Sequence, residues 1–162
     1  MSTCRTTLLA LLFCLAVTAV APVQAADDTD YAALVAAKTR AFFGGTLAQS
    51  DFSLTAPWRR NFAADNLAGR APVAIEQLEL TEVRLPDNPG GLEGLFAVKA
   101  RLPAAAWVEG KEIPAGSYWF SGSIRFVHTT RGWLVADVDF ALLDSAGEVV
   151  GSNYLPWRNG EP

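Results

Sequence analysis

His128, Asp137 and Asp139 are the residues of this chain with the types and closeness that chemistry requires. One imidazole and two carboxylates on neighbouring strands are the parts of a general acid/base site, or part of a metal site. Whether they converge depends on the register of the hairpin that carries them. A two-residue loop at Thr130-Arg131 pairs Ile124 with Asp137 and His128 with Trp133, which mixes buried and charged positions on one face. A three-residue loop, Thr130-Arg131-Gly132, puts glycine at the left-handed position such loops need. It pairs Arg125 with Asp137 and Ser123 with Asp139. Tyr118, Phe120, Ile124 and Phe126 then share a continuous apolar face with Leu134, Ala136, Val138, Phe140 and Leu142. This second register is the expected one.

It separates the three residues. His128 falls on the apolar face, near the strand end, and both aspartates fall on the other. Asp137 gains Arg125 as a cross-strand partner, a pair of ordinary structural kind worth about 0.2–1 kcal/mol. Asp137 and Asp139, two residues apart on one strand face, lie about 6.6 Å from each other, and no third ligand is evident nearby. No metal and no cofactor are expected. His128 is expected as a partly buried, hydrogen-bonded rim residue, and it is also the one candidate for a titrating catalytic group.

The elements that position these residues can be read along the chain. Residues 1–25 have the pattern of a secretory signal peptide: Arg5, an apolar run over 8–20, and Pro22-Val23-Gln24-Ala25 before an acidic stretch. The run is too short to span a bilayer, so no stable membrane insertion is expected after cleavage. The bulky Leu12-Phe13 before Cys14 argue against lipidation. Cleavage after Ala25 leaves 137 residues, enough for one domain over 26–162. Both cysteines, Cys4 and Cys14, leave with the leader, so thiol, disulfide and cysteine-metal chemistry leave with them. The net charge moves from −4 to −5 with the loss of Arg5, which disfavours nucleic acid and anionic lipid as partners. The ten arginines against three lysines suit a bacterial source, and the compartment expected is the periplasm or the exterior.

Asp30 can cap a helix over residues 31–43, ended by Gly44-Gly45. Residues 49–53 read as a loop. Thr55-Ala56-Pro57 starts a second short helix carrying Trp58, Phe62 and Leu67 and closed by Gly69 and Pro72. Strands follow over 74–85, with a bulge near Gln77-Leu78, and over 92–102, with Leu92, Phe96, Val98, Ala100 and Leu102 on one face. The turn Pro86-Asp87-Asn88-Pro89-Gly90-Gly91 joins them. Residues 103–116 read as an irregular connection, then strands over 117–129 and 133–143, a turn at 144–147, and an edge strand over 148–155.

Other residues carry weaker signals. Trp58-Arg59-Arg60 and Arg70 form a basic cluster able to bind a phosphate or carboxylate, or a solvated helix face with Trp58 turned inward. Trp157-Arg158 is either a docking tail or one laid back on the core. Trp119, Val127, Trp133 and Val135 fall on the outer strand face, where they are either covered by the N-terminal segment or form an interaction patch. No phosphate-binding glycine loop, Gly-x-Ser-x-Gly elbow, His-Glu-x-x-His or Cys-x-x-Cys is present.

Helices followed by an alternating antiparallel sheet, with the 31–43 helix and the hairpin Phe126-Val127-His128-Thr129-Thr130-Arg131-Gly132-Trp133-Leu134-Val135, resemble the NTF2-like and cystatin-like group. The resemblance implies an α+β fold, with N-terminal helices packed on a curved antiparallel sheet of four to five strands and a cone-shaped pocket between. A β-sandwich with an N-terminal helix is the alternative. Many members of the group bind or assemble; some are isomerases or dehydratases with a pocket Asp or His. The function expected is a periplasmic, non-enzymatic binding or accessory domain for a small apolar ligand or an envelope protein. Its binding residues would be Trp119, Trp133, Tyr118, Phe120, Phe126 and His128. The alternatives are an isomerase or lyase using His128, and a structural subunit of an envelope complex joined through the 148–155 edge.

Overall fold

A computed structural model describes residues 29–61, 69–85, 91–158 and 160. The leader with Cys4 and Cys14, the residues Phe62 and Leu67, and the turn over 86–90 lie outside the described residues.

The first helix, α1 (Tyr31–Phe43), begins where Asp30 accepts the Ala33 N–H at 3.0 Å and ends at Gly44. Its buried residues Val35, Thr39, Phe42 and Phe43 recur at helical spacing and form one stripe. The Thr39 hydroxyl donates to the Val35 carbonyl, so the one polar member of the stripe is satisfied. A 3-10 turn (Gln49–Asp51) follows, then a short helix, α2 (Pro57–Asn61).

Lys38 of α1 reaches Asp51 of the 3-10 turn at 2.7 Å, and Asp51 also accepts the Ala48 N–H. Partial burial pushes the Asp51 carboxyl up, but the Lys38 ammonium and the Ala48 N–H outweigh it and hold its pKa below the ordinary value of 3.8. A carboxyl lowered in the folded state contributes stability above its unfolded pKa and loses it as the pH falls through the folded one. Asp51→Asn is therefore expected to cost about 0.5–1 kcal/mol at neutral pH. It should also reduce the loss of stability below the unfolded value of 3.8, as read by denaturant midpoints across an acid series.

The sheet has five antiparallel strands in the order β1-β2-β5-β6-β7: β1 (Ala74–Arg84), β2 (Gly91–Leu102), β5 (Gly116–Thr129), β6 (Gly132–Leu143) and β7 (Val149–Ser152). β3 (Ala106–Val108) and β4 (Lys111–Ile113) form a separate hairpin inside the segment expected to be irregular. Glu109 and Gly110, both at positive φ, make its turn. The last strand is shorter than the 148–155 reading, because the chain turns at Asn153, whose φ is +56°. There Asn153 bonds Phe140 through both its N–H and its side-chain oxygen.

The bulge expected in β1 is present at Glu76, and a second one occurs at Thr81. In β2 the alternation holds as expected: Leu92, Phe96, Val98, Ala100 and Leu102 are all buried. On this face α1 packs against β1 and β2, and α2 packs against β6. The helix–sheet interface is aromatic. Phe43 stands 5.3 Å from Phe96, 4.8 Å from Phe120 and 5.3 Å from Phe140, ring centre to ring centre. Trp58 stacks on Phe140 at 5.9 Å and donates its indole N–H to the Val138 carbonyl at 2.7 Å.

The β5–β6 hairpin departs from expectation in an instructive way. The loop has two residues, Thr130 and Arg131, and His128 pairs with Trp133, yet Arg125 still pairs with Asp137 and Ser123 with Asp139. Both registers are realised, one on each side of a bulge at Ala136. The bulge turns Val135 to the core, fully buried, and leaves its carbonyl to accept the Ser53 N–H at 2.8 Å. Apolar burial near the turn and charge pairing beyond it are thus both met by one extra residue.

Candidate functional site

The bulge corrects the placement of Trp133 and Val135. Neither belongs to the outer face: both lie on the side of Phe126 and His128, and Leu134 takes the opposite side with Val127. Tyr31 of α1 stands edge-on to the Trp133 indole at 5.8 Å, the His128 ring lies 4.9 Å from it, and Trp133 packs against the core. Tyr118, Phe120 and Phe126, expected to bind a ligand, are buried core residues, and the Tyr118 hydroxyl donates to the Pro114 carbonyl. His128 is exposed at the strand end, with no hydrogen bond from its imidazole among the described residues. Asp137 pairs with Arg125, and Asp139 lies exposed on the outer face, so the three residues do not converge. Among the described residues no group of three His, Cys, Asp or Glu side chains is gathered as metal ligands. No described helix is long and apolar enough to cross a membrane.

The basic cluster separates as well. Trp58 is turned inward, Arg59 donates to the Phe52 carbonyl at 3.2 Å, and the Arg60 side chain lies outside the described residues. The Trp157-Arg158 tail lies back on the molecule. Trp157 exchanges two backbone hydrogen bonds with Trp107, and Arg158 donates to the carbonyls of Gly69 and Arg70.

What remains with an open surface is the outer face of the sheet, where neither described helix packs. Cross-strand rows can be followed across it: Glu93–Arg125–Asp137, Leu95–Ser123–Asp139, Ala97–Ser121–Ala141 and Lys99–Trp119–Leu143. The small third row leaves a trough of about 440 Å³, lined also by Thr81 and Gly122. Trp119 is half-buried beside it, with the Lys99 ammonium 6.0 Å from its ring centre. The bulge at Glu76 brings that carboxylate to Arg101 at 2.7 Å, Ser117 at 3.0 Å and Lys99 at 3.9 Å. Hydrogen bonds from Arg101 and Ser117 hold the Glu76 carboxyl below its ordinary pKa. Three strands thus contribute to one polar cluster on Glu76, and its Lys99 reaches toward the Trp119 ring. Alternation placed Trp119 correctly on this face; the part of Glu76 depended on the bulge.

Searches against family models, curated proteins and solved structures found no match to this chain.

Proposed function

We propose that this protein is an exported, non-enzymatic binding or accessory domain that engages a protein partner through the outer face of its sheet. Export rests on the leader pattern of residues 1–25, and the periplasm is the compartment that fits it. We read the architecture as a relative of the NTF2-like and cystatin-like group in which the space between helix and sheet is filled. Phe42, Phe43, Phe96, Phe120 and Phe140 occupy the place where a cone-shaped pocket would lie, which favours a surface over an enclosed apolar ligand. The edge-strand route has less to offer, since β7 has four residues and Glu109 takes the Ser152 N–H.

The observation that carries this reading is Trp119, half-exposed beside the trough, with the Lys99 ammonium over its ring and Lys99 in turn paired with Glu76. Tryptophan is among the residues that dominate interfaces, where one such anchor contributes about 2 kcal/mol or more. Native mass spectrometry of the protein recovered from its own envelope is the test. A stoichiometric protein partner is expected, with Trp119→Ala weakening the complex at least about 30-fold and shifting unfolding by under about 1 kcal/mol. Lys111→Glu, on the exposed β4, should leave the complex unchanged. A strictly monomeric protein, or a complex indifferent to Trp119, would end the proposal.

A further inference from the structure

The outer face of the sheet is graded along its strands. At one end lies the row Glu93–Arg125–Asp137, followed by Leu95–Ser123–Asp139 with Glu82 of β1 beside Leu95. At the other end lies Lys99–Trp119–Leu143, and beyond it Arg101–Ser117. β7 extends the tryptophan row with Val149, which is 61% exposed. Between the two ends runs Ala97–Ser121–Ala141, a row of small side chains. Glu93 and Asp139, on one side of that row, make no ion pair among the described residues. Lys99, Arg101 and the apolar residues stand on the other side.

A face graded in this way is complementary to itself when turned end for end. Two such sheets, packed face to face about a two-fold axis along the Ala97–Ser121–Ala141 row, bring each row onto its counterpart across the axis. Arg101 then stands over Glu93 of the second copy. Trp119 stands over Ser123 of the second copy, in the trough that the small row leaves open. Lys99 comes down beside Leu95 and within reach of Glu82. A two-fold axis along β5 would instead set Glu93 on Asp137 and Arg125 on Arg125, like charge on like, so charge selects the first arrangement.

We propose that the partner of the outer face is a second copy of this chain, joined across that two-fold axis. The inference rests on the reading of the outer face as an interaction surface and names its occupant. Four strands about 4.8 Å apart and five rows about 6.8 Å apart cover roughly 600 Å² on each copy. A total of about 1,200 Å² is the lower edge for a specific complex. Glu79, at the β1 end of the small row, meets its own copy across the axis, a further cost. The pairing is therefore a weak and reversible one.

Sedimentation equilibrium of the purified protein tests it. A monomer–dimer equilibrium is expected, with a dissociation constant of about 1–100 μM, the weak end for interfaces near this size. Trp119→Ala should weaken the dimer at least about 30-fold. Arg101→Glu and Glu93→Arg should each weaken it at least tenfold, since each sets like charges together twice. Mixed in equal amounts, these two variants should pair with each other about as tightly as the parent does, because each supplies the charge the other now needs. All three positions are at least partly exposed, so the fold should hold. A protein monomeric at about 100 μM that still captures a different, Trp119-dependent partner would overturn the second copy and leave the outer face as the surface. A monomer with no partner at all would end both readings. A dimer indifferent to Trp119→Ala, or charge variants that stay apart when mixed, would overturn the two-fold arrangement.

Discussion

Phe43→Ala is expected to destabilise the protein by about 3–5 kcal/mol, the range for truncating a buried aromatic. Phe43 is 1% exposed and is the residue through which α1 meets three strands at once. Its ring contacts Phe96 on β2, Phe120 on β5 and Phe140 on β6. A smaller side chain leaves a void that the sheet cannot close, because its strands are held by their ladders. Phe42 at the previous position cannot move in, since it is itself fully buried against Trp58 and Phe52. A domain of this size has a total stability of roughly 5–15 kcal/mol, so the loss is a large fraction of it. Urea unfolding followed by tryptophan fluorescence measures it. A loss below about 1 kcal/mol would mean that α1 does not depend on this contact.

The second large effect is expected at Gly122. Phe96 and Phe140, two of the rings beneath Phe43, are its cross-strand partners. The backbone of β6 comes so close at this point that a side chain on residue 122 would start 1.9 Å from the Asp139 carbonyl oxygen and 2.6 Å from the Phe140 Cα. Backbone, unlike the tip of a flexible side chain, has little room to yield. Gly122→Ala is expected to cost at or above the upper end of the ~1–3 kcal/mol usual for overpacking. It should also loosen the β5–β6 ladder. Amide hydrogen exchange should show faster exchange at residues 120–124 and 138–142, with α1 less affected. Equal protection in the variant and the parent would refute the close approach. The measurement bears on function, because Ser121, Ser123 and Asp139, which flank Gly122 and its partner, line the outer trough.

Much of the fold was legible in the sequence because short-range patterns are physically decisive. Asp30 followed by apolar residues at helical spacing and a Gly-Gly pair defined α1, and the strict alternation of β2 defined its buried face. The β5–β6 hairpin shows the limit. Each register satisfied part of the pattern, and alternation alone offered no means of combining them. The bulge at Ala136 became favourable only because Ser53, from a distant segment, takes the Val135 carbonyl, and because Tyr31 stands edge-on to Trp133. Trp133 changed sides for that reason. The 103–116 segment was hidden because three-residue strands carry almost no alternation to detect.

His128, Asp137 and Asp139, the three residues best typed for chemistry, are held apart. The sequence already contained the reason, in the pairing of Arg125 with Asp137. Trp119 could be placed on the outer face by counting. Arg70, with its buried and unpartnered Nη1, could not be singled out from ten arginines, because isolation is a property of surroundings and not of residue type.

By itself, then, the sequence determined the order of the helices and long strands, the apolar faces of β2 and β5, and the leader pattern with the cysteines it contains. These follow from capping, periodicity and composition, which act within a few residues. Only the tertiary structure decided that the interior is filled with aromatic rings, that Glu76 meets Lys99, Arg101 and Ser117, and that the Arg70 Nη1 is buried without a hydrogen-bond partner. Each of these depends on groups far apart in the chain arriving at one place, and no local pattern records which groups fail to arrive.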